Sequence, residues 1–242
     1  MKTEYGTNIT FEVDFLLHNM MGPNCLRLVE ELTQKIAWPS SSMRVLDLGC
    51  GTGLTSIFLA KEYNAQVFAV DLWINPSENF ERIIQFGLED KIIPIYAEAH
   101  ELPFARNYFD AVISIDSFHY YGADADYLDT CLIPLVKENG VIAVSVPGLK
   151  KDFFNDEVPP ELQPFWVENM NMYSMQWWKT LWEKSPNITS VECFSHVCHE
   201  AAWNEWLQCS NPYALRDVEM MKAEQGRYFD TIGMITKKKP CG

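Results

Sequence analysis

The sequence predicts an α/β fold, a mostly parallel sheet with helices on both faces. Three observations predict it. Short apolar runs alternate with helix-like stretches between residues 44 and 146. The first of those runs leads straight into three glycines within five residues, at Gly49, Gly51 and Gly53. The 242 residues are 48% hydrophobic, ample for a full core. No apolar run reaches the about 20 residues that a bilayer span requires.

Residues 9–37 read as helical, with Phe15, Leu16, Met20, Cys25, Leu26, Leu28, Val29, Leu32 and Ile36 near a 3.6-residue period. Gly22-Pro23-Asn24 interrupts this stretch, and Pro23 is placed to open a second helix. Buried strands are expected over 44–48, 66–70, 92–96, 111–115 and 141–146. Helices are expected over 55–63, 76–86 and 124–135. Two further strands, 190–194 and 228–236, complete a sheet of seven.

Two insertions break the alternation, residues 147–187 and 197–227. They hold six of the eight tryptophans: Trp166, Trp177, Trp178, Trp182, Trp203 and Trp206. Packed on the sheet they would make an extra core. Placed over the strand ends they would make a helical, aromatic-rich cap, which is the expectation here. The whole chain, 1–242, is then one domain.

Charge narrows the partners. A formal charge of −14 opposes binding to nucleic acid or an anionic membrane, both of which call for a basic surface. Lysines cluster only at Lys237-Lys238-Lys239. A small molecule is the expected partner. The N-terminus lacks the basic-then-apolar order of a signal peptide, so a cytoplasmic location is expected. Seven cysteines without a CxxC pair point to reduced thiols. Cys193 and Cys198 bracket His196, and His199 follows. That spacing fits no structural zinc pattern, and no metal is expected.

The stretch Val45-Leu46-Asp47-Leu48-Gly49-Cys50-Gly51-Thr52-Gly53 carries the chemistry. Glycine turns tightly and lets a ligand approach the main chain. A dinucleotide fingerprint would need its third glycine at position 54, which is Leu54. The spacing is GxGxG, and no basic residue follows as a P-loop requires. A nicotinamide oxidoreductase is therefore disfavoured. Asp71 ends the next strand, where an acid can accept ribose hydroxyls.

Four features in order resemble the class I S-adenosylmethionine-dependent methyltransferases. They are the DLGCGTG stretch, Asp71, Glu98 with the following Leu102-Pro103-Phe104, and Phe109-Asp110. The small-molecule branch, of ubiquinone/menaquinone-biosynthesis-like and cyclopropane-synthase-like enzymes, is most similar. The resemblance covers residues 43–147 and implies a Rossmann-like methyltransferase sheet. S-adenosyl-L-methionine is the implied cofactor, and transfer of its methyl group to a small molecule by in-line displacement is the implied activity. A non-catalytic S-adenosylmethionine-binding protein is the alternative.

The resemblance also implies roles. Asp47 and the loop Gly49, Cys50, Gly51 and Gly53 would lie along the methionine part, with Asp47 acting on its ammonium partly through the loop. Asp71 would bind the ribose, with Leu72 and Trp73 against the adenine. Glu98, where the family usually has Asp, would hold the adenine amine, and Ala99 would donate its N–H. Asp116 would face the transferring methyl.

Residues 9–37 would form an N-terminal lid, with His18 beside the Gly-Pro turn. His119, just after the fourth strand, is the candidate base for an acceptor that must lose a proton. Tyr120, Tyr121, Trp177 and Trp206 are candidate acceptor contacts, because aromatic faces suit alkylated amines or flat apolar groups. A thiol-bound metalloid acceptor lacks its close-set cysteine pair.

Overall fold

A computed structural model describes residues 2–7, 9–38, 43–153, 157–167 and 169–240. The chain opens with an antiparallel pair, β1 (Lys2–Tyr5) and β2 (Ile9–Glu12). This corrects the expected helix start at residue 9. Ile9 and Phe11 are buried while Thr10 and Glu12 are exposed, the period of two that a strand shows. Helices α1 (Val13–Asn19) and α2 (Cys25–Gln34) follow. Pro23 does not open α2. Asn24 does, capping it by accepting from the Leu26 N–H at 2.9 Å.

The alternation then runs β3 (Arg44–Leu48), α3 (Leu54–Tyr63), β4 (Gln66–Asp71), α4 (Pro76–Gln85), β5 (Ile92–Tyr96), β6 (Phe109–Ile115) and β7 (Val136–Leu149). The helix expected over 124–135 is reduced to one wide π turn, Leu128–Leu132. The chain there sends Phe118, Tyr127 and Leu132 into the core from bends and turns rather than from one helical face. After β7 come α5 (Met175–Trp182), β8 (Glu192–Ser195), α6 (His199–Trp206), α7 (Pro212–Glu224) and β9 (Phe229–Lys237).

The seven-stranded sheet has the order β5-β4-β3-β6-β7-β9-β8. Strands β3 to β7 pair in parallel, and β9 runs antiparallel to both neighbours. The α/β fold expected from the sequence is the one observed. From β3 the chain builds outward through β4 and β5, then returns to the other side of β3 with β6. The crevice at the carboxyl ends of β3 and β6 is therefore a topological switch point, the usual ligand site of such sheets.

Side chains alternate across the sheet. Val45, Val67 and Ile113 pack with α2, α3 and α6 on one face. Leu46, Val70 and Val112 pack with Phe118 and α5 on the other. The tryptophans of α5 and α6 divide the same way. Trp178 and Trp182 of α5 are buried on the second face, and Trp203 and Trp206 of α6 on the first. The tryptophans of α5 and α6 thus complete opposite halves of the core, while Leu162 and Trp166 of the first insertion pack on the face of α6, and Arg216 of α7 donates to Phe165 O at 2.8 Å. No helix among the described residues is long and apolar enough to cross a membrane.

Candidate functional site

A cavity of about 280 Å³ opens at the switch point. Its lining comes from the β3–α3 loop, the ends of β4 and β6, the turn after β5, and the chain between α1 and α2. No described residue of either tryptophan-rich insertion lines it. The N-terminal segment, through Asn19, Met21, Gly22, Pro23 and Cys25, closes it instead.

The loop after β3 is held open by backbone geometry. Gly49, Gly51 and Gly53 all have positive φ, at 72°, 53° and 83°. A Cβ on Gly49 would sit 1.8 Å from Ser117 Oγ. The N–H groups of Gly49 and Cys50 both donate to Val70 O, at 2.8 and 3.0 Å. Gly51 N–H donates to Asp71 Oδ2 at 2.8 Å, and Gly51 O accepts from Asn79 Nδ2 at 2.8 Å.

Asp47 lies behind this loop, fully buried and outside the cavity lining. Its Oδ2 accepts from the Thr55 and Ser56 hydroxyls, each at 2.6 Å. Its Oδ1 is buried with no partner. Burial, opposed by the two hydroxyls, pushes its pKa up to about 6.

Asp71 Oδ1 takes the N–H groups of Trp73 (2.7 Å) and Ile74 (2.9 Å), so the acid shapes the turn after β4. One lone pair of Oδ2 is left for a ligand. Leu72 and Trp73 stand exposed at the rim, and the Trp73 ring meets Tyr120 edge-on at 5.1 Å. Glu98 grips His100 at both ends, Oε2 accepting its N–H and Oε1 meeting Nδ1, each at 2.8 Å. Ala99 lines the cavity beside it, and its carbonyl accepts from the Tyr127 hydroxyl at 3.0 Å.

Asp116 ends β6 in the left-handed region, φ 55°, a conformation that a non-glycine residue holds only where its surroundings impose it. Its N–H is tied to Ser145 O at 2.8 Å. Its carboxylate makes no hydrogen bond with any described residue. Burial and the nearby charge of Asp217 on α7 push its pKa up to about 8. Partial desolvation at the cavity rim raises the Tyr120 phenol to about 12, with Asp116 and Asp217 adding to the shift.

The other predicted residues fall as follows. Tyr121 lines the cavity, but its hydroxyl is a clamp, donating to Leu48 O at 3.1 Å and meeting Ser114 Oγ at 2.9 Å. His119 is 5% exposed while its neighbour Tyr120 is 55% exposed. The His119 ring points away from the cavity, has an unpartnered Nδ1, and is held neutral by a burial that lowers its pKa to about 3. That removes it from the role of base. His18 is tied back to Asp14 O at 2.6 Å and does not reach the cavity.

Trp177 lines a separate groove with Asp152 and Lys184 and stacks on Tyr173 at 3.7 Å. Trp206 is buried in the core and donates Nε1–H to Asp217 Oδ2 at 2.8 Å. Neither tryptophan lines the cavity.

Sequence reasoning missed Asn19, Arg82 and Asp217. Asn19 ties the N-terminal segment both to the glycine loop and to α4. Its carbonyl accepts from Thr52 Oγ1 at 2.6 Å, and its Oδ1 accepts from Arg82 Nε at 2.7 Å. The Gly22-Pro23 break was the available signal for that segment. Nothing local to α7 marks Asp217.

Residues 45–140 match the family described as Methyltransferase domain. Methyltransferase GfsG of Streptomyces halstedii is 29% identical over 120 residues, 49% of this chain and 42% of that protein. The chain thus spans less than half the length of this curated relative. Phosphoethanolamine N-methyltransferase 2 of Haemonchus contortus, solved with S-adenosyl-L-methionine, superposes with a TM-score of 0.73 at 16% identity, covering 94% of this chain and 56% of that one. Geranyl diphosphate C-methyltransferase of Streptomyces coelicolor A3(2) gives 0.69 at 12% identity, covering 87% and 79%. The match to the methyltransferase-domain family spans residues 45–140, and the fold is the one shared with these two solved methyltransferases.

Proposed function

We propose that this chain transfers a methyl group from S-adenosylmethionine to the nitrogen of a small amine. One observation carries the acceptor class. The cavity ends on the unpaired carboxylate of Asp116 and is lined by no Lys or Arg among the described residues. Its one histidine, His100, is engaged by Glu98.

The residues fit the donor. The positive-φ glycines make a cradle that a Cβ would fill, which suits the amino-acid end of the cofactor. Asp47 offers a buried acceptor with no partner, a match for an ammonium reached through that loop. The free lone pair of Asp71 is available to a ribose hydroxyl, and Leu72 and Trp73 offer an apolar edge to a base. When bound, S-adenosylmethionine supplies an electrophilic methyl group on a sulfonium.

The chain's own work is alignment, exclusion of water and removal of a proton. A protonated amine is drawn to Asp116 and to the field of Asp217. With its pKa at about 8, Asp116 is ionised in a minor share of molecules near neutral pH, and that ionised form takes a proton from the ammonium and leaves a lone pair on nitrogen. Tyr120 and Trp73 offer aromatic faces to the cation at the rim. An anionic acceptor would meet no positive side chain here.

The test is calorimetry with S-adenosylhomocysteine, then measurement of S-adenosylhomocysteine formed from S-adenosylmethionine with panels of amines, phenols, thiols and phosphate esters. Binding together with turnover of amines is expected. Absence of binding overturns the methyltransferase reading. Binding with turnover confined to another panel overturns the amine alone.

A further inference from the structure

A second cluster lies away from the cavity, where α2 meets the turn between β8 and α6. Glu31, His196 and Cys198 each offer one ligand atom there, all within 4.8 Å of one another. His196 Nδ1 is 3.6 Å from Glu31 Oε2 and 3.9 Å from Cys198 Sγ. The sequence shows only the His196–Cys198 half, because Glu31 stands 165 positions before His196. Cys193 and His199, their neighbours in sequence, are not part of the group, and His199 Nδ1 instead meets Thr231 Oγ1 at 2.8 Å.

Glu31 and His196 are each fixed by further hydrogen bonds. Glu31 Oε1 and Oε2 accept the N–H groups of Val197 and Cys198, each at 2.9 Å. His196 is 3% exposed, and its N–H donates to Thr231 O at 2.8 Å. Its Nε2 meets Ser145 Oγ of β7 at 2.7 Å. That contact leaves Nδ1 turned toward Glu31 and Cys198.

We infer that Glu31, His196 and Cys198 form a binding site for one zinc-class divalent ion, with solvent as the fourth ligand. Bonds of about 2.0–2.3 Å at tetrahedral angles separate ligand atoms by roughly 3.3–3.8 Å, and the 3.6 and 3.9 Å separations from His196 Nδ1 lie within or next to that range. The donor set of one thiolate, one imidazole and one carboxylate suits zinc and disfavours calcium and magnesium, which take oxygen ligands. A thiolate and a carboxylate neutralise a divalent ion. Ser145 supplies the outer hydrogen bond that fixes a ligating imidazole, accepting from Nε2–H while Nδ1 binds the metal. The Glu31 side chain is 19% exposed, so one side of the site meets water. The ion would pin α2 to the β8–α6 turn.

The full-length protein is stripped with a chelator and titrated with zinc(II) alone, then with cobalt(II) as an optical reporter. One equivalent of zinc is expected to bind and to raise the melting midpoint. Cobalt is expected to produce a thiolate charge-transfer band. Glu31→Gln keeps the length of the side chain and one acceptor oxygen for the amides, and Cys198→Ser keeps the side-chain shape. Each is expected to weaken zinc at least tenfold and Cys198→Ser to abolish the band, while Cys193→Ser changes neither. The inference is overturned if the wild-type chain shows no saturable zinc binding. Equal zinc affinity in Cys198→Ser overturns it as well.

Discussion

A Cβ on Gly22 would lie 2.0 Å from Asp116 Oδ2. The segment between α1 and α2 closes on the carboxylate at the end of β6 because residue 22 carries no side chain. The lid and the acid are thus fitted to each other.

Gly22→Ala should drive the two apart. The Asp116 carboxylate must rotate or the segment must lift, and either opens the cavity to water. We expect methyl transfer to fall at least about tenfold, as for catalytic groups displaced by about an ångström, with little change in the melting midpoint. Steady-state rates alongside a thermal melt test this. An unchanged rate would show that the lid closes elsewhere.

Asp71→Ala removes the acceptor of three backbone N–H groups, those of Gly51, Trp73 and Ile74. Each group left unsatisfied where water cannot reach costs about 1–3 kcal/mol. Loss of order in both cavity turns should weaken S-adenosylhomocysteine by at least about a hundredfold, given 1.4 kcal/mol per tenfold. Asp71→Asn keeps one acceptor oxygen and should fall between the two. Calorimetry reads both.

The elevated Asp116 has a defined consequence for stability. Its folded pKa, about 8, lies above the ordinary carboxylate value of 3.8, so the folded state holds the proton more tightly than the unfolded state. Stability from this group is complete below pH 3.8 and is lost as pH rises to about 8. Asp116→Asn cannot ionise. Its melting midpoint relative to wild type should therefore climb across that window and level off above it, while its turnover of amines collapses. A midpoint difference that is flat with pH would remove the charge from the account.

His119→Phe keeps a ring against Tyr120, whose centroid lies 4.0 Å away, and deletes both nitrogens. Because the ring is buried away from the cavity, the pH dependence of kcat/KM should keep the shape of wild type. Loss of the acidic limb, the fall in kcat/KM as pH drops, would restore His119 as the proton acceptor.

Much of this was legible in the chain. The central strands show as unbroken apolar runs because both faces of the sheet are covered, and the loop after β3 shows because only glycine holds its positive φ values. The hairpin of β1 and β2 was hidden by its length, four residues a strand, beside a longer helical period. The insertions misled because tryptophan reports burial and not location. Trp182 and Trp206 are equally buried on opposite faces of the sheet. Tyr120 and His119 separated for a related reason, since one step along a tight turn reverses which ring meets solvent. Asp217 and Glu31 reach their sites only through the tertiary fold.

Asn19 deserves a mechanical reading. Its carbonyl and its side-chain oxygen are both taken, by Thr52 of the glycine loop and by Arg82 of α4. Arg82 also holds Asn79, which in turn holds Gly51. Roof and floor of the cavity are therefore joined through one residue, like the two jaws of a clasp sharing a pin. Swinging the roof outward must draw both bonds at once, and whatever tightens the floor stiffens the roof. In the proposed reaction, admission of the acceptor would be coupled in this way to how firmly the loop beneath is held.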